Sequence, residues 1–288
     1  MSPEHPIVET WPGSKLQAKV AGSCNNLVGD SNAVVGSANN LNGYSNQVQG
    51  SVNTLQGSYN NIGGNANTAI GNTNNILGVS NTAFGSNNNL YGALNSVLGN
   101  QNTATGVANT IVGNSNLAAG VGNSQIGTGN VAIGNANSQF GYSNTAIGCA
   151  NSAVGTGNTQ IGSANLAYGN NNNIQGSVNT VVGNTNLAVG NANTIIGDTN
   201  AVGGNCNQVA GVSNTVLGNS NIATGNTNYI SGSSNAVNGI SNGVIGSGNL
   251  VYGSQNNIVS TSACNIPAPP PLPVYPHPVP VPAPTCGC

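Results

Sequence analysis

The sequence predicts an all-β solenoid, a β-roll of about 17 coils with two seven-residue repeats in each coil. Three observations point there. Every seventh residue from Gly22 to Gly253 is glycine and every seventh from Asn25 to Asn256 is asparagine, without exception. The three residues between each Asn and the next Gly are rich in Val, Ile, Leu, Ala and Thr, as in Thr180-Val181-Val182 and Thr194-Ile195-Ile196. All 13 prolines lie outside the array, at Pro3, Pro6 and Pro12 and between Pro267 and Pro284.

Lettered from glycine, the unit is G-b-c-N-e-f-g, as in Gly29-Asp30-Ser31-Asn32-Ala33-Val34-Val35. A seven-residue period is also that of a coiled coil, but a helix would carry two turn-formers in every heptad. Glycine alone costs about 1 kcal/mol per helical residue relative to alanine, so helix is excluded. Glycine tolerates the positive φ of a tight corner, and asparagine bonds neighbouring backbone within turns. The e-f-g triplet supplies strand residues. Period-two alternation places Asn and f on one face and e and g on the other. One heptad is thus one short strand plus one corner. A closed coil needs at least two corners, hence fourteen residues, and at ~4.8 Å per coil the rod is roughly 80 Å long. The f residues (Val34, Val48, Leu55, Ile62, Ile76, Ile111, Ile174, Val216, Ile230) fill a thin interior. The aligned asparagines form amide ladders from coil to coil, pairing polar groups that are costly to bury alone.

Three segments follow: a lead or cap at 1–21, the solenoid at 22–260, and a tail at 261–288. In the lead, Ile7, Val8, Trp11 and Leu16 are placed to cover the open edge of the first coil, which would otherwise invite end-to-end pairing. The tail, running through Pro267-Ala268-Pro269-Pro270-Pro271, reads as a disordered, extended polyproline II spacer. It carries P-x-x-P spacing but no Arg or Lys beside it, so it makes a weak SH3 ligand. No apolar run approaches the ~20 residues of a membrane span. Residues 1–21 lack an apolar signal core, which predicts a chain not secreted as written. No asparagine starts an N-x-Ser/Thr acceptor, so N-glycosylation is not expected.

Charged residues make up 2% of the chain, and the array holds only Asp30 and Asp198. That excludes a basic track for nucleic acid and any strong steering field. His5 and His277 sit in the ends, so no metal-ligand cluster, acid/base pair or triad is available; no enzyme, cofactor or small-molecule substrate is expected. Cys24, Cys149 and Cys206 stand at corner positions as replacements for Ser or Ala. The terminal Cys286-Gly287-Cys288 is a candidate cross-link or anchor.

Function is therefore sought on the outward columns. On the side containing Asn53, the e column runs Thr54, Thr68, Thr82, Ser96, Thr110, Ser124, Ser138, Ser152, Leu166, Thr180 and Thr194. Its g column runs Gln56, Ile70, Phe84, Leu98, Val112, Ile126, Phe140, Val154, Tyr168, Val182 and Ile196. The opposite e column (Ala33, Gln47, Asn61, Asn75, Asn89, Thr103, Leu117, Val131) is irregular. A hydroxyl row beside an apolar row has two uses. It can order water into an ice-like layer and adsorb to ice, or it can bind copies of the same chain through an apolar strip.

Read as x-x-N-x-V-x-G (Ser177-Val178-Asn179-Thr180-Val181-Val182-Gly183), the unit resembles the ice-recrystallisation-inhibition repeat of cold-hardy grasses, over residues 22–260. That resemblance implies a left-handed β-roll with inner Asn ladders, ice binding through a flat outward face, and an extracellular setting. Against the family pattern, f is often Ala or Gln here (Ala69, Ala83, Gln125, Gln139, Gln160). A second likeness lies in Asn130-Val131-Ala132-Ile133-Gly134 and Asn144-Thr145-Ala146-Ile147-Gly148, which resemble the head repeats of YadA-type trimeric adhesins. It implies rolls packed together through outward Val and Ile.

Overall fold

The computed structural model describes residues 19–260 and, as backbone, residues 7–9. Among them are 36 strands, from β1 (Ile7–Glu9) to β36 (Asn257–Ser260), and no helix. From β2 (Lys19–Ala21) onward, each strand pairs in parallel with the strand two places later, residue i opposite residue i+14. Odd-numbered strands build one 18-stranded sheet and even-numbered strands the other. The fourteen-residue coil, two strands and two corners, is as the repeat predicts.

Strand β1 departs from that rhythm. Its Ile7, Val8 and Glu9 pair with Asn26, Leu27 and Val28 of β3 (Asn26–Val28), so it lies along the first edge of the odd sheet. The proposed contributions of Trp11 and Leu16 to a cap, and the whole tail with Cys264, Cys286 and Cys288, lie outside the described residues.

Burial follows the predicted alternation: Asn and f are inside, e and g outside. Away from the ends of the ladders, the inner asparagines pair their amides from coil to coil. Asn39 donates Nδ2–H to Asn25 Oδ1 at 3.0 Å and to the Gly50 carbonyl at 2.8 Å. Its own Oδ1 accepts the backbone N–H and the Nδ2–H of Asn53, both at 3.0 Å. Two donors and two acceptor sites are therefore all used, which is the condition for burying an amide without penalty.

The corners combine two non-standard conformations. The repeat glycine has a φ between 101° and 148°. The c residue is left-handed at every repeat, and thirty of these are not glycine, among them Val52, Tyr59, Leu94 and Val178. A left-handed non-glycine costs roughly 1–2 kcal/mol. The corner persists because its backbone is paired coil to coil: the Ala38 N–H donates to the Ser23 carbonyl at 3.0 Å and the Gly36 N–H to the Ala21 carbonyl at 2.8 Å.

The interior changes character along the rod. Leu, Ile and Val dominate toward both ends, in one cluster from Leu27 to Ala118 and another from Ala167 to Val251. Between them, alanine on one sheet faces glutamine on the other. Gln125 and Gln139 reach across from the odd sheet to the Leu117 and Val131 carbonyls, each at 2.8 Å, and Gln125 also donates to Gln139 Oε1 at 2.9 Å. Gln160 does the same from the even sheet, to the Ser152 carbonyl at 2.8 Å. In this central stretch the departure from a Val-filled interior is a volume exchange: a long amide on one wall occupies the space its alanine partner leaves, whereas Ala69 and Ala83 pack within the aliphatic cluster.

Candidate functional site

Parallel in-register pairing converts the outward columns into rows. On the odd sheet, Thr82 pairs with Ser96, Ser96 with Thr110, Thr110 with Ser124, and Ser124 with Ser138. The hydroxyl row from Thr54 to Ser152 is unbroken over eight consecutive strands, is interrupted by Leu166, and resumes at Thr180 and Thr194. The g row runs beside it from Ile70 to Ile196, with the same pairing. Neighbouring rows are two residues apart on each strand, so the side chains form a two-dimensional grid of about 4.8 by about 6.7 Å. Thr, Val and Ile are stiff at χ1, which keeps such a grid regular.

The grid is not uniformly level. Phe140 and Tyr168 are more than half exposed and stand above the smaller Val112, Val154 and Val182. The hydroxyl side is more even, alternating only between Thr and Ser.

The even sheet also carries an ordered patch, beginning at Val131. Val131, Thr145 and Thr159 pair in register, and beside them Ile133, Ile147 and Ile161 form an apolar row. The signal was present as T-x-I triplets fourteen residues apart. It coincides with the adhesin-like stretch. The hydroxyl row is therefore longer on the odd sheet, while apolar rows occur on both.

Corner side chains form their own exposed ladders. Asn170 donates its N–H and Nδ2–H to Asn184 Oδ1 at 3.1 and 3.0 Å, and Asn184 donates both to the Asp198 carboxylate at 2.7 and 2.9 Å. Asp198 thus accepts two hydrogen bonds at the end of a corner ladder. Cys24, Cys149 and Cys206 are free, exposed and at corners, and fourteen-residue spacing puts all three on one edge of the rod. Among the described residues no three His, Cys, Asp or Glu side chains gather to hold a metal ion, and no helix is long and apolar enough to cross a membrane.

Residues 174–267 match the family model of the grass antifreeze beta roll. The likeness read from the x-x-N-x-V-x-G unit is borne out over that segment. It takes in Thr180, Val182, Thr194 and Ile196 of the odd face, whereas the Thr54–Ser152 row precedes it. No curated protein matches the chain.

Proposed function

We propose that this chain is a non-enzymatic ice-binding β-solenoid that restrains recrystallisation by adsorbing through the outward face of the odd sheet. The observation that carries the reading is the hydroxyl row from Thr54 to Ser152, held at one residue per coil by unbroken register and flanked by an apolar row. Hydroxyls at fixed spacing hold water in fixed positions, and the methyl row beside them offers water no competing partner. Charge would bind a disordered hydration shell, and the face has none. The family match at 174–267 supports the same reading from the other end of the rod.

Lysine at Thr110 or Thr82 would put a hydrated ammonium in the middle of the grid while leaving the buried f and Asn positions intact. Recrystallisation inhibition by either variant is expected to fall about tenfold, the consequence of losing ~1.4 kcal/mol of adsorption. Lysine at Thr215, on the even sheet, is expected to leave it unchanged. Full activity in Thr110→Lys and Thr82→Lys, or an inactive parent protein, would refute the assignment.

A second reading, a rod that assembles through its g column, draws on one observation: Leu98, Phe140, Tyr168 and Ile196 are each more than half exposed on one strip. Uncharged apolar strips of this kind are common association surfaces. Sedimentation in dilute buffer separates the two. A monomer is expected if the face serves ice; a stable trimer or filament would occupy it.

A further inference from the structure

A hollow lies on the even sheet near the N-terminal end of the rod, at one of two glycines, Gly63 and Gly203, that stand in the outward g column of that sheet. It is a groove of about 600 Å³, open to solvent along one side. Its floor is Gly63, which sits in the g column between Gln49 and Leu77 in unbroken register. Unlike the corner glycines, Gly63 has a φ outside the left-handed region, and there is no bulge in its strand. The backbone does not require glycine there, and glycine weakens a strand interior. An added Cβ would meet only the movable Leu77 Cδ1, at 2.8 Å. The absent side chain leaves room for the Leu77 side chain to lean over the Gly63 backbone and lowers the surface between Gln49 and Leu77.

The walls of that space are amides and one phenol. Asn61 donates to Asn75 Oδ1 at 3.2 Å, and Asn75 donates to the Tyr91 hydroxyl at 2.7 Å, which fixes the Tyr91 ring at one end. Gln47 and Gln49 are exposed and have no side-chain partner among the described residues. Leu77 and the Tyr91 ring add apolar surface. No charged side chain lines the hollow.

We infer that the Gly63 hollow binds an uncharged, hydroxyl-rich chain, a neutral oligosaccharide. Each amide offers both donor and acceptor, as vicinal hydroxyls require, and the Tyr91 ring and Leu77 suit the apolar face of a sugar ring. A charged ligand would find no counter-ion. The successive amides at e repeat once per coil, so an extended chain laid along the rod meets similar partners at each step. The site is on the sheet opposite the proposed ice face and does not depend on that reading.

Calorimetric titration of the full chain with cellohexaose, xylohexaose and mannohexaose tests it, with an oligogalacturonate as the charged counterpart. Saturable binding of at least one neutral probe, and none of the charged one, is expected. Gly63→Val fills the hollow with a good strand former and should weaken binding at least tenfold with an unchanged melting temperature; Tyr91→Ala should weaken it too. Thr110→Lys should bind sugar normally, so loss of ice activity and loss of sugar binding are separable. Absence of saturable binding by every neutral probe, or equal affinity in Gly63→Val, would overturn the inference.

Discussion

Gly113→Ala is expected to break the rod at its middle, at a cost of about 4 kcal/mol or more, a size reserved for changes the fold cannot absorb. Gly113 has a φ of 130°, and a methyl group there would overlap the carbonyl oxygen of Gly127 and lie 2.8 Å from its carbon. The obstruction is backbone of the next coil, held in turn by the coil beyond. No rotamer change relieves it. Because each repeat touches only its neighbours, the damage should be local. Amide hydrogen exchange is expected to lose protection over the coils either side of residue 113 and to keep it near Val34 and Val237. Gly122→Ala is the matched control. Gly122 occupies a c position with a φ of 65° and nothing within 4 Å of an added methyl, and Ala108 and Ala136 already hold that conformation one coil away on each side. Its cost should be about 1–2 kcal/mol, since only the left-handed preference of glycine is lost. Equal effects at the two sites would mean that the corner glycines are kept for flexibility rather than for close approach.

The contrast between those two glycines also explains what was legible in the chain beforehand. The repeat glycine has one tolerable side chain, hydrogen, so its constraint is written at every seventh residue. The c position is as unusual in conformation, yet it accepts Val52, Tyr59, Leu94 and Gln101 because its side chain points into solvent. A constraint met by almost any residue leaves no trace in composition. The inner and outer columns were readable for the first reason: Asn and f alternate with e and g wherever register is fixed. The exchange of Gln125 and Gln139 against alanine on the opposite wall was not, since it depends on which residues face each other across the interior. The candidate face was readable as columns but not as a surface. That Phe140 and Tyr168 rise above the grid, and that Gly63 leaves a hollow, depend on side-chain height, which spacing does not carry.

Asn109→Ala is expected to destabilise the rod by about 3–5 kcal/mol, and Asn191→Ala by about 0.5 kcal/mol, although both residues belong to amide ladders. Asn109 is fully buried. Its Nδ2–H groups donate to Asn95 Oδ1 at 2.9 Å and to the Gly120 carbonyl at 3.0 Å, and its Oδ1 accepts the N–H and Nδ2–H of Asn123 at 3.1 and 3.0 Å. Removing the amide leaves the Asn123 backbone N–H and one side-chain N–H without partners in a place water does not enter, and adds a small cavity. Asn191 makes nearly the same set in the open: its N–H and Nδ2–H donate to Asn205 Oδ1, both at 3.0 Å, and its Oδ1 accepts the Ser177 N–H at 3.0 Å. Water replaces each of those bonds when the side chain is cut, so only a small net term is lost. Denaturant melts of the two variants measure the difference directly. Similar midpoints would mean that the inner ladder is as accessible to water as the outer one, and that the rod is held by its f residues rather than by its asparagines.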